Sequence, residues 1–120
     1  MQVLVVDDST VDRHLLTSLL EGLGHLVDAC TSSSEASELI AKKDYKAIFL
    51  DIIMPERDGY KFLRELRANA KTAKQYVIFC SSKKTPVEVN YGITRAGADD
   101  YLVKPVTPES LTQVLAKVGS

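Results

Sequence analysis

Apolar positions along the chain change their period in a regular order. Residues 47–50 (Ala47, Ile48, Phe49, Leu50) are apolar without polar alternation, the mark of a short strand buried on both faces and so of a central parallel strand. Residues 3–6 form a similar apolar strand, as do residues 76–80 and 100–103, and residues 25–30 form a weaker one. Between them the period becomes helical. Val11, Leu15, Leu16, Leu19, Leu20 and Leu23 recur at helical spacing up to a stop at Gly24, with His14 on the opposite, solvated face. Ala36, Leu39 and Ile40 mark a second helix that runs into the polar Lys42-Lys43-Asp44. Tyr60, Phe62, Leu63 and Leu66 mark a third, following the turn dipeptide Asp58-Gly59 and reaching about Asn69. Leu111, Val114, Leu115 and Val118 mark the last, before Gly119 and Ser120.

Start signals agree with these positions. Ser9-Thr10-Val11-Asp12, Ser32-Ser33-Ser34-Glu35 and Thr85-Pro86-Val87-Glu88 read as capping boxes, and Thr107-Pro108-Glu109 caps the final helix. The helix opened by Thr85 is poor in helix formers: Val87, Val89, Asn90, Gly92, Ile93 and Thr94 are all below average, and Gly92 alone costs about 1 kcal/mol relative to alanine. That segment is expected to be the most mobile of the fold. Strands alternating with helices through short turns predict an α/β protein, a doubly wound five-stranded parallel sheet in a three-layer αβα sandwich, with residues 1–120 as a single domain.

Composition narrows the function. A chain of 120 residues with 45% hydrophobic and 26% charged residues suits one globular core. A formal net charge of -1 gives no electrostatic reason for nucleic-acid or general membrane binding. The chain has no apolar run long enough to span a bilayer, and Met1 leads straight into the first strand with no signal peptide, so a cytoplasmic location is expected. Cys30 and Cys80 each close an apolar run without metal-ligand spacing and read as reduced core thiols.

Candidate chemistry gathers at the strand ends. Asp7 and Asp8 follow the first strand, Asp51 the third, Ser81 the fourth and Lys104 the fifth. Parallel strands bring all of these to the carboxyl edge of the sheet, where open α/β sheets bind ligands. Two carboxylates about 4 Å apart repel by roughly 4 kcal/mol at an effective dielectric near 20, so three must protonate or bind a cation. All-oxygen ligation suits Mg2+ better than zinc. With the ion bound, Asp51 can act as a nucleophile towards phosphorus, the metal, Lys104 and Ser81 sharing the phosphoryl oxygens. Taken singly, Lys104 could equally be a structural partner of Asp51, and Ser81 a cap.

As a set, Val5-Val6-Asp7-Asp8-Ser9, Asp51-Ile52-Ile53-Met54-Pro55 with Asp58-Gly59, Ser81, and Tyr101-Leu102-Val103-Lys104-Pro105 are specific. On them the chain resembles the receiver domain of a two-component response regulator, of the stand-alone chemotaxis type, over essentially its whole length. The resemblance implies the flavodoxin-like strand order 2-1-3-4-5. It implies that Asp51 accepts a phosphoryl group from a sensor histidine kinase or histidine phosphotransfer protein. Asp8, Asp51 and the Ile53 backbone carbonyl would hold Mg2+, with Asp7 acting through water. Ser81 and Lys104 would contact the phosphate, and Tyr101 would turn inward as Ser81 is drawn towards it. Such a protein is not an enzyme beyond its own phosphotransfer and slow autodephosphorylation. It signals by contact with a downstream protein target, through the fourth helix, the Tyr101 strand and the last helix, and the resemblance leaves a phosphorylation-dependent dimer open.

Some positions depart from the family's commonest pattern. Ser81 replaces the frequent threonine, keeping the hydroxyl but losing a methyl, which bears on the tightness of coupling. Ile53 and Lys83 stand where the family lines the approach of attacking water, and the bulky apolar Ile53 predicts a slower loss of phosphate than polar residues there would give. A phosphohydrolase working through an aspartyl phosphate is the competing reading, but the acid such enzymes carry two residues after the nucleophile is here Ile53. Nucleotide binding is disfavoured because the first turn, Asp7-Asp8-Ser9-Thr10, has neither GxGxxG nor a Walker lysine. A pseudo-receiver that no longer takes phosphate would have lost one of the expected groups, and all are present.

Overall fold

The computed structural model describes residues 1–54, 58–82 and 85–118. Pro55 of the Asp51-Ile52-Ile53-Met54-Pro55 stretch, Lys83 at the expected water approach, and Gly119 and Ser120 after the last helix lie outside the described residues. Five strands, β1 (Gln2–Val6), β2 (Leu26–Cys30), β3 (Ala47–Asp51), β4 (Val77–Ser81) and β5 (Asp100–Val103), alternate with five helices. These are α1 (Thr10–Gly22), α2 (Ser33–Lys42), α3 (Gly59–Ala68), α4 (Pro86–Asn90) and α5 (Pro108–Leu115). Every strand pair is parallel and the order is β2-β1-β3-β4-β5, the flavodoxin-like arrangement expected from the resemblance.

Alternate residues of each strand feed two separate cores. Leu4, Val6, Ile48, Leu50, Val77 and Phe79 pack with Ala36 of α2 and with Phe62, Leu63 and Leu66 of α3. Val3, Val5, Ala47, Phe49, Ile78 and Leu102 pack on the other face with Leu16 and Leu20 of α1 and Leu111 and Val114 of α5. Because both faces are covered, β3 and β4 are buried at every position, which is why their sequences lack polar alternation.

Three helix expectations need correction. The predicted apolar stripe of α1 is wider than the face that packs: Leu16 and Leu20 are buried, whereas Val11 is 77% exposed and Leu15 and Leu23 are also exposed. Five apolar positions in the thirteen residues of α1, with Leu23 at its C-cap, cover more than one side of a helix, and the sheet takes only the side centred on Leu16 and Leu20. The capping boxes at Ser9 and Ser32 are half formed. Each serine caps, accepting from Asp12 N or Glu35 N, but the Glu35 carboxylate accepts from Thr31 and the Asp12 carboxylate turns towards Lys104. The reciprocal box is complete at Thr107 and Ser110.

The helix opened by Thr85 is the third case. After one α turn it becomes a π turn over Tyr91–Arg95, closed by the i to i+5 bond from Ala96 N–H to Tyr91 O at 2.9 Å. Low helix propensity lets tertiary contacts choose the winding, and the choice made here lays Gly92 against the aromatic side of the core. A Cβ on Gly92 would stand 3.1 Å from the Tyr101 ring and 3.2 Å from Phe79. Tyr60 bridges the same group, meeting Phe79 and Tyr91 edge to face at centroid distances of 5.3 and 5.2 Å.

Candidate functional site

Asp51 is the last residue of β3, paired in register with Cys80 of β4, and β1 ends one residue before Asp7. The strand ends thereby bring Asp7, Asp8 and Asp51 together: each offers a carboxylate oxygen, and these oxygens lie within 4.8 Å of one another. Asp7 and Asp51 are buried and Asp8 is exposed at the rim, so the group opens to solvent on one side. Three hard oxygen donors with room at the rim fit a small divalent cation that retains water.

Asp7 and the chain at Asp51 are held by backbone contacts as well as by strand position. Asp7 N–H bonds Cys30 O of β2 at 3.1 Å, its carboxylate accepts the Ser9 N–H at 2.9 Å, and its carbonyl accepts Arg13 Nη1 at 2.8 Å. The chain after Asp51 is pinned by Gly59, whose N–H donates to Ile52 O at 2.6 Å. A Cβ there would come 2.5 Å from Asp51 O and 2.9 Å from Ile52 Cα, so only glycine lets α3 begin this close to the acid. Asp58 completes the turn as the α3 N-cap, accepting from Lys61 N at 2.8 Å.

Lys104 enters from the end of β5, its own N–H bonded to Ser81 O at 2.9 Å. Its ammonium contacts the carboxylates of Asp7 at 2.8 Å, Asp12 at 3.1 Å and Asp51 at 3.5 Å. Burial raises the Asp51 carboxyl and the Asp7 charge adds to that, the Lys104 ammonium opposing them, with the result at about 7. Burial works to lower the Lys104 ammonium, but its hydrogen bond to Asp7 and the charges of Asp51 and Asp7 outweigh it and hold it above the usual lysine range.

Ser81 closes β4 and is buried, in the strand that lies between β3, which ends on Asp51, and β5, which leads into Lys104. Tyr101 is likewise buried in β5, hydrogen-bonded to Ser81 and set edge to face on Phe79 with centroids 6.4 Å apart. Ile53 lies at the rim and is 62% exposed. Cys30 and Cys80 are buried free thiols, pushed up by burial, Cys30 to about 11, and so stay protonated and unreactive.

Of the residues expected at the site, Asp7, Asp8, Asp51 and Lys104 converge within contact distance, and Ser81 and Tyr101 adjoin one another beside them. Residue patterns missed the contribution of Asp12, hidden by its reading as a capping residue. They named Gly59 as a turn and Gly92 as a weak helix position, but close backbone approach leaves no mark in a pattern of polarity, so the packing that requires glycine at each was not legible.

A protein-family model described as response regulator receiver domain matches residues 3–116. A two-component response regulator of rice, ORR11, is 34% identical over 117 residues, which are 97% of this chain and 79% of the relative. The chemotaxis protein CheY4 of Vibrio cholerae superposes with a TM-score of 0.88 at 27% identity, covering 98% of this chain and 97% of that one. The receiver domain of the sensor histidine kinase PA1611 of Pseudomonas aeruginosa, described with a magnesium ion coordinated in its active-site cleft, superposes with a TM-score of 0.87 at 27% identity, covering 99% and 98%.

Proposed function

Because this chain belongs to the response regulator receiver domain family of two-component signalling, we propose that it is a phosphorylation-activated switch in which Asp51 is the phosphoryl acceptor. One observation carries the reading: Asp51 is 7% exposed at the end of β3, with oxygens of Asp7 and Asp8 within 4.8 Å and the Lys104 ammonium at 3.5 Å.

Asp8 and Asp51, together with the Ile53 backbone carbonyl, would hold Mg2+, with Asp7 acting through water; the three converging carboxylates fit such an ion. When bound, Mg2+ supplies positive charge to an oxygen of the incoming phosphoryl group. An Asp51 carboxylate oxygen forms the new bond to phosphorus as the phosphorus–nitrogen bond of the donor's phosphohistidine breaks. The electron pair stays on the imidazole nitrogen, which takes up a proton. Lys104 stabilises the charge on the phosphoryl oxygens, with Ser81 donating its hydroxyl to a second oxygen. That draws Ser81 towards the site, and the change passes to Tyr101, its hydrogen-bond partner, which already lies buried against Phe79. The message leaves by protein contact over α4, β5 and α5, with a histidine kinase or phosphotransfer protein upstream.

The test is direct. Incubated with Mg2+ and acetyl phosphate, the chain should gain one phosphoryl group that is labile to hydroxylamine, absent in Asp51→Ala and absent in EDTA, as read by intact mass. A wild-type chain that takes no label from acetyl phosphate or from a phosphorylated histidine donor overturns the reading. Rapid multiple turnover of small phosphate esters would instead make the protein a phosphatase.

A further inference from the structure

The Asp12 backbone N–H donates to the Ser9 cap, but its side chain takes no part in the box it was expected to complete, since the Ser9 N–H that a box would use is already bonded to Asp7 at 2.9 Å. Its carboxylate reaches across to Lys104 at 3.1 Å, closer than the 3.5 Å from Lys104 to Asp51. An ammonium has three N–H bonds, and here they face three carboxylates: Asp7, Asp12 and Asp51. Asp7 and Asp51 also belong to the group of oxygens that fits a divalent cation, whereas Asp12 does not. A cation bound among Asp7, Asp8 and Asp51 therefore weakens the hold of those acids on Lys104 and leaves that of Asp12 intact. The Asp12 side chain is 40% exposed at the α1 end of the site, so its pull draws Lys104 towards α1.

We propose that Asp12 is a positioning residue that competes with the phosphoryl oxygens on Asp51 for the Lys104 ammonium, and so limits how tightly the site holds a phosphoryl group. The inference rests on Asp51 as the acceptor. The competition is built into the resting contacts: for Lys104 to serve the phosphoryl group fully, its bond to Asp12 must lengthen or share.

Calorimetry of the full chain with beryllofluoride at saturating Mg2+ tests it, using wild type, Asp12→Asn, Asp12→Glu, Lys104→Ala and the Asp12→Asn/Lys104→Ala double variant. Asparagine matches aspartate in shape at a partly exposed position, and thermal unfolding verifies that each variant is folded. Asp12→Asn should bind beryllofluoride roughly threefold to tenfold more tightly, the range for losing one partly solvated charge contact. Asp12→Glu should keep wild-type affinity. In the Lys104→Ala background Asp12→Asn should change nothing, because the effect acts through the ammonium. Unchanged or weaker binding in Asp12→Asn, with wild type binding normally, overturns this inference alone. The same tightening without Lys104 also overturns it, by showing plain repulsion through space. A wild-type chain that binds no beryllofluoride removes the acceptor reading and this inference with it.

Discussion

At the residue scale Ile53 is 62% exposed and apolar, at the position that the proposed receiver role gives to the approach of water towards a phosphoryl group on Asp51. An apolar side chain offers that water no hydrogen bond, so hydrolysis of the acyl phosphate should be slow. Replacing it by asparagine supplies one positioning hydrogen bond worth about 1 kcal/mol, which corresponds to roughly a fivefold faster loss of phosphate. Following the Asp51 label over time after removal of acetyl phosphate checks this, and an equal or slower loss in Ile53→Asn rejects it. Asp12 teaches a different lesson at the same scale. An acid at the third position of a helix reads as a cap, and only the folded chain reveals that Lys104, ninety-two positions away in sequence, claims it.

At the scale of elements, the segment from Thr85 to Arg95 stands apart. Its sequence is a weak helix, and its structure is one α turn followed by a π turn that presses Gly92 onto Tyr101 and Phe79. Gly92→Ala gains about 1 kcal/mol of helix propensity but introduces a Cβ 3.1 Å from the Tyr101 ring, so the ring or the turn has to move. Tyr101 should then spend more time exposed, losing up to about 1 kcal/mol of edge-to-face contact with Phe79. Nitration by tetranitromethane, mapped by mass spectrometry, should rise at Tyr101 several-fold relative to Tyr45, whose hydroxyl stays bonded to Asp28 at 2.7 Å. Unchanged Tyr101 nitration would mean that the turn, not the ring, gives way.

At the scale of the whole molecule the acid group at the sheet edge opposes folding. The Asp51 carboxyl is raised to about 7, while in the unfolded chain it titrates near 3.9, so between those values the native state binds the extra proton. The native state is therefore favoured by this group at low pH, and that advantage is lost as pH rises to about 7. In EDTA, Asp51→Asn should leave stability nearly unchanged at about pH 4 and raise it by roughly 1–3 kcal/mol at about pH 8, measured by urea unfolding. A variant less stable than wild type at about pH 8 would refute the sign. Mg2+ should shift the wild type in the same direction as the substitution, and more strongly at the higher pH, because the ion binds the carboxylate form.

Much of this protein was legible before any coordinate. Burial on both faces writes itself into β3 and β4 as unbroken apolar runs, helix starts carry their caps, and parallel strands must deliver Asp7, Asp8, Asp51, Ser81 and Lys104 to one edge. These are local or topological consequences of residue type and order. What the tertiary structure alone decided is which side of α1 meets the sheet, how the Thr85 segment winds, and where the carboxylate of Asp12 goes. Each of those is a choice between local arrangements of nearly equal free energy, settled by contacts between residues far apart in the chain, and a one-dimensional pattern holds no record of such contacts.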